Sequence, residues 1–256
     1  MSREKVKQYT FLIRQLTARE IRRKYARSYL GILWSVLNPL LSMVVLSLIF
    51  SRMFRRSIEN YPIYYLTGYL VWQTFTAATV SSMSTLADNK TLLLKVRFPM
   101  ELFILARVYT AMVNLAYSLL AYGVMLAVFR VRPRPALLLA PAVFLLLFLF
   151  ALGISYLLSA ACVFFGDVKH LYTVLLTLWM YCSAIFYPVS QLEGIMRRVV
   201  EHNPLYLYID CLRGLVMEGR LPTPLASAQM FLWAAGAYLA GTAVFRRKRD
   251  RMIQKL

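Results

Sequence analysis

Six stretches of this chain run for about 20 residues or more without a charged side chain, and that fixes its solvent. They are Ser28–Ser51, Asn60–Ala87, Val108–Phe129, Pro135–Gly166, Leu171–Leu192 and Leu221–Phe245. A helix rises about 1.5 Å per residue, so roughly 20 apolar residues cover the hydrocarbon core of a bilayer. A core helix of a soluble domain would keep a polar face at helical spacing. Here Leu137-Leu138-Leu139 and Leu145-Leu146-Leu147-Phe148-Leu149-Phe150 leave no side for water. The pattern predicts an all-α integral membrane protein forming one transmembrane domain over residues 1–256. Its expected parts are an amphipathic segment over 1–27, a six-span bundle over 28–245 and a basic tail over 246–256.

A formal charge of +19 invites a nucleic-acid reading, but the positions of the cations argue for topology instead. With a cytoplasmic amino terminus, 20 of the 30 Lys and Arg residues fall on the inner side, as insertion selects. Both termini are then expected in the cytoplasm, and nucleic acid is not an expected partner. Cys162, Cys182 and Cys211 lie in or beside apolar segments without metal-ligand spacing and read as small buried hydrophobes. The first apolar run is a full span without a small-residue cleavage site, so no secretory signal peptide is expected.

Before the first span, Val6, Tyr9, Leu12, Ile13 and Leu16 share one helical face, and Thr17-Ala18-Arg19-Glu20 reads as a capping box that restarts a helix. Arg19, Arg22, Arg23, Lys24 and Arg27 follow, and such a basic amphipathic helix lies in the membrane interface among anionic lipids. Guanidinium groups at headgroup depth also grip phosphate through paired hydrogen bonds, so both roles stay open. In the first span Asn38-Pro39 bends the helix.

The loop after the second span is more than a turn. In Asp88-Asn89-Lys90-Thr91-Leu92-Leu93-Leu94-Lys95-Val96-Arg97-Phe98-Pro99, Asp88 or Asn89 caps a short helix and Pro99 ends it. Leu92, Leu93 and Val96 are expected to stand exposed on the cytoplasmic side, where apolar residues need a protein partner or the headgroup layer. This is a candidate docking element. Gly166-Asp167-Val168-Lys169-His170 offers either a second, smaller contact or a charged turn.

Between the fifth and sixth spans, Asn203-Pro204 is a strong helix start and Gly219 a stop, predicting two short re-entrant outer helices at about 190–201 and 204–218. Non-helical backbone at that depth belongs beside protein or a water-filled path. Aromatics crowd the second span and the fifth (Tyr65, Tyr69, Trp72 and Phe75; Trp179, Phe186 and Tyr187). Interfacial belts account for many of them, whereas Tyr69, Trp72 and Trp179 lie deeper and suit an aromatic path for sugars.

No span core carries Asp, Glu, Lys or Arg, so no proton or sodium relay is evident. His170 and His202 lie near span ends, without the Ser and Asp partners of a phosphatase. No G-x-x-x-x-G-K-[ST] loop is present to bind ATP, and no acidic cluster to hold Mg²⁺. A membrane-embedded glycan or lipid-phosphate transferase therefore lacks its machinery, and a small-drug or lipid permease remains as a rival. Gly236 with Ala240 and Ala237 with Gly241 predict close helix packing in the last span.

The run from Arg27-Ser28-Tyr29 through Leu33-Trp34 to Asn38-Pro39-Leu40 resembles the start of polysaccharide-exporting ABC-2 type permeases. So do Asn89-Lys90 through Pro99, Phe165-Gly166-Asp167-Val168-Lys169-His170, and Ile185-Phe186-Tyr187-Pro188 with Asn203-Pro204, in the family's order. The resemblance implies a homodimer of six-span subunits in a bacterial cytoplasmic membrane, driven by a separate dimeric ATPase. That partner binds the ATP and Mg²⁺, so this chain is expected to be no enzyme and to carry no cofactor. Asp88 to Pro99, with Asp167, Lys169 and His170, would couple to the ATPase. Arg22, Arg23, Lys24, Arg27 and Tyr29 would border a lateral gate admitting a lipid-linked pyrophosphate glycan of the O-antigen, teichoic acid or capsule kind. Trp34, with the seven aromatics named above, would line the glycan channel.

Overall fold

Asn203 and Pro204 start a helix as their chemistry requires: the Asn203 side chain accepts from the Leu205 N–H at 2.9 Å, and Pro204 fills the first position, where no N–H is needed. Fifteen residues later Gly219 adopts φ of 69° and stops it. In the computed structural model, which describes residues 3–26, 29–53, 58–95 and 98–255, such local signals delimit an all-helical chain without a strand among the described residues. The helices are α1 (Arg3–Tyr25), α2 (Trp34–Met53), α3 (Tyr61–Met83), α4 (Thr85–Asp88), α5 (Lys90–Lys95) and α6 (Glu101–Val128). They continue as α7 (Ala140–Phe164), α8 (Val168–Tyr181), α9 (Gly194–Glu201), α10 (Pro204–Arg213) and α11 (Pro224–Lys255).

Three of these segments are long and apolar enough to cross a membrane among the described residues: Glu101–Val128, Pro135–Phe164 and Pro224–Lys255. The shorter α2 keeps Pro39 within it. The fifth apolar stretch is not one helix. α8 ends at Tyr181 after 14 residues, about 21 Å at 1.5 Å per residue, which falls short of a roughly 30 Å hydrocarbon core. The chain then runs irregularly to Gly194 except for one 3₁₀ turn at Val189–Gln191.

The core is built around α3, whose buried face runs from Tyr61 through Leu70, Val71 and Phe75 to Ser82. Its Thr67, Thr74 and Thr79 hydroxyls, with Ser82, donate back to carbonyls one turn earlier, so they enter an apolar bundle without needing partners elsewhere. α7 packs on α3 through Ser159, which donates to Ser82 O at 2.8 Å, and on α11 through glycine. A Cβ at Gly153 would run into the backbone of Ala237 and Tyr238, and one at Gly241 into the Gly153 carbonyl. The expected small-residue packing of the last span is thus present at Ala237 and Gly241, while Gly236 faces open space.

Two expectations are overturned. Tyr65, Trp72 and Phe75 are core residues, not channel lining: Phe75 is fully buried, 5.5 Å from the ring centre of Phe150 and 5.3 Å from that of Trp179. α1 also runs unbroken through Thr17 and Glu20, so no capping box restarts it. Both side chains serve a tertiary contact instead, because neighbours on α6 compete successfully for them.

Candidate functional site

One end of the bundle collects α1, α4, α5 and the first turns of α6. The apolar stripe of α1 is satisfied there: Leu16 is buried with Phe103 and Ala106 of α6, and Leu12, Ile13, Leu92, Leu93 and Phe98 pack around them. This corrects the expected exposure of the loop leucines. Leu92 and Leu93 are half-buried against α1 and α6, because the apolar stripe of α1 lies within reach of them. Among the described side chains, the open face of α5 carries Lys90, Thr91 and Lys95. Val96, Arg97 and Arg27 lie outside the described residues, and Phe98 and Pro99 are half-buried.

Beside this apolar contact stands a charged one. Arg107 of α6 binds Glu20 of α1 and, at 3.1 Å, Asp88 of α4. Ser84 donates to the same Asp88 carboxylate at 2.9 Å. Arg19 donates to the Asn89 side chain at 2.5 Å, and Asn89 in turn donates to Thr85 O at 2.8 Å. The Arg107 and Glu20 side chains are 13% and 11% exposed and that of Asp88 is 33%, so the triad is partly covered and meets water on its Asp88 side. A single guanidinium therefore ties α1, α4 and the long α6 together. None of Glu20, Arg107 and Arg19 was anticipated in this role. Glu20 carries a local capping pattern, and Arg107 reads only as the charge that ends an apolar run.

Next to the triad opens a cavity of about 500 Å³ between α1, α3 and α6. Arg23 and Lys24 from the last turn of α1 reach it, with Arg107 and Asn114 of α6 and Ser81 of α3. Glu20 and Asp88 line it as well, both held by Arg107, so the cations that could meet a phosphate there are Arg23 and Lys24. Arg22 is exposed but does not line the cavity, and Tyr29 stands fully exposed beyond it. Asp167, Lys169 and His170 are exposed at the turn into α8. Trp34 is exposed, whereas Tyr69, Trp179, Phe186 and Tyr187 are half-buried.

At the opposite end α10 lies against α3 and brings in Arg213, a cation that sequence reading counts only as an outer charge. It is 5% exposed, and its guanidinium lies 3.4 Å from the ring centre of Tyr64. Nearby, the Glu218 carboxylate accepts from Arg220 at 2.9 Å and holds that guanidinium above its ordinary pKa.

Residues 12–217 match the profile of the ABC-2 type transporter family. The chain belongs to that family. Among its relatives, the O-antigen export system permease protein RfbA of Myxococcus xanthus is 32% identical over 97% of this chain and 96% of its own length. A protein of the same name from Klebsiella pneumoniae is 27% identical over 94% and 93%. The polysialic acid transport protein KpsM of Escherichia coli is 22% identical over 94% and 95%. This ABC-2 type chain thus matches those relatives nearly from end to end.

Proposed function

We propose that this chain is the transmembrane subunit of an ATP-driven exporter that moves a lipid-linked polysaccharide, of the O-antigen kind, across the bacterial cytoplasmic membrane. The observation that carries the reading is the cavity beside the docking segment, reached by Arg23 and Lys24, in a chain whose full-length relatives are named for O-antigen export and polysialic acid transport. In this reading two copies pair as a homodimer, each crossing six times with both termini in the cytoplasm, and α9 and α10 dip into the outer leaflet as re-entrant helices. The position of 20 of the 30 cations supports that orientation. A dimeric ATPase, holding the ATP and Mg²⁺, engages the open face of α5 at Lys90, Thr91 and Lys95, and the turn at Asp167 to His170. Leu92 and Leu93 act behind that face, passing its displacement to α1 and α6.

Arg23 and Lys24 receive the diphosphate of the lipid carrier, with Arg22 and Arg27 adding positive potential at the same headgroup depth. The partly exposed aromatics Trp34, Tyr69, Trp179, Phe186 and Tyr187 offer apolar platforms to sugar rings. The test is ATPase activity of the reconstituted complex in proteoliposomes, with and without a glycan linked to a polyprenyl diphosphate. Replacing Arg23 and Lys24 together by Ala is expected to weaken stimulation about tenfold and leave basal turnover unchanged. Equal stimulation in the double variant removes the phosphate role. Stimulation by drug-like amphiphiles alone turns the reading toward a small-molecule exporter.

A further inference from the structure

Where α8 stops, six backbone carbonyls between Tyr181 and Tyr187 lose their helical partners, and each is taken up by a side chain. Tyr187 donates its hydroxyl to Tyr181 O, and the Asn203 amide donates to Cys182 O at 2.8 Å. The two terminal nitrogens of Arg213 donate to Ala184 O and Ile185 O, each at 2.9 Å. Tyr61 donates to Phe186 O at 3.0 Å and Tyr64 to Tyr187 O at 2.9 Å. Asn203 adds a bond to Ser183 Oγ at 3.0 Å and accepts from Trp179 Nε1 at 2.8 Å. Apart from Tyr187, the donors come from two places only, the first turn of α3 and the two ends of α10.

Arg213 closes the arrangement with its Nε–H, which donates to Tyr64 O at 3.2 Å, so Nε and both terminal nitrogens all bond backbone carbonyls. Room for it is made at Gly68, where a Cβ would lie 2.7 Å from Nη2. Ala184 is held at φ of 48°, a left-handed conformation that a residue with a Cβ keeps only when its surroundings impose it. Bending this stretch requires several bonds to open together, and those of Arg213 to Ala184 O and Ile185 O are buried from water that would replace them. α9 differs: only Val200 in it is buried, and Ile195, Met196 and Val199 are exposed.

We propose that Arg213 and Asn203 are positioning residues that weld the interruption after α8, together with α10, onto the end of α3, so that this joint stays closed throughout transport and only α9 of the two short helices is free to swing. The test uses the full-length permease–ATPase complex, with Cys162, Cys182 and Cys211 first replaced by Ala. In that background Ser183→Cys with Asn203→Cys puts a disulfide where the Asn203 bond to Ser183 stood. With the pair reduced, export is expected to fall about tenfold, as for loss of a buried hydrogen-bonded group, and thermal stability to drop. Closing the disulfide restores both. Arg213→Lys, which keeps the charge but cannot fork across two carbonyls, is not rescued by charge alone and behaves like the reduced pair. A closed disulfide that restores stability but abolishes export means the joint must open, and overturns the proposal. So does full export from the reduced pair. Thermal rescue is read without transport, so a parent complex that exports no polysaccharide refutes the export reading while the joint is still tested.

Discussion

Two arginines hold this permease together at opposite ends, and they do so under different rules. Arg107 sits among carboxylates, paired with Glu20 and Asp88 beside an open cavity. Arg213 is buried and spends its donors on carbonyls of irregular chain. An ion triad with access to water rearranges at small cost, because water and salt compete for each member. A buried guanidinium bonded to several carbonyls has no such competitor, and removing it strands every acceptor at once. The first arrangement suits a connection that must change during a cycle, and the second one that must not.

The contrast breaks most easily at Arg213. Arg213→Met is expected to cost about 3 kcal/mol or more, read as loss of a monodisperse complex or a large fall in melting temperature. A mild effect would remove the distinction between the two ends. Leu93→Asp comes next: it buries a carboxylate in the contact of α1, α5 and α6, and is expected to destabilise the docking end by about 2 kcal/mol. Normal stability with lost ATPase binding would instead return Leu93 to the exposed role expected from sequence. Arg107→Met is expected to cost only about 1 kcal/mol in melting experiments while changing the ratio of transport to ATP hydrolysis several-fold. Its effect on melting should shrink at high salt, whereas that of Arg213→Met should not. Smallest is Lys90→Ala with Lys95→Ala, which should alter stability by less than about 0.5 kcal/mol and still weaken co-purification of the ATPase.

What could be read from the chain depended on whether the cause was local. The Asn203-Pro204 start and the Gly219 stop are written within a few residues, and the helices obey them, whereas the apolar run Leu171–Leu192 breaks at Tyr181 without a local signal. The short helices after α8 appear close to where those signals put them. The partners of charged side chains are not local. Arg107 meets Glu20 across 87 residues of sequence, and Arg213 reaches Tyr64 across 149. A charge at the edge of an apolar run looks the same whether it faces water or folds back onto carbonyls, so Arg213 is counted as an outer charge and Arg107 as the end of a span. The aromatics fail for a related reason: Tyr65, Trp72 and Phe75 share composition with a sugar path, but facing helices decide whether a ring is lining or core. Leu92 and Leu93 are too apolar for water, and it is α1, distant in sequence, that covers them.

The contact between α7 and α11 carries a mechanical consequence. Two rods that touch at one point can scissor about it, as a crossing made only at Gly153 and Gly241 would allow. These two touch again at their ends, where Lys255 donates to the Phe164 carbonyl at 3.0 Å and sets a cation on the last turn of α7. A 32-residue helix is about 48 Å long, against roughly 30 Å of hydrocarbon, so the arm bearing Arg246 to Lys255 projects well past the fulcrum. Any tilt of α7 must therefore carry that basic arm with it, so the two helices move as one lever whose free end bears a dense cluster of cations.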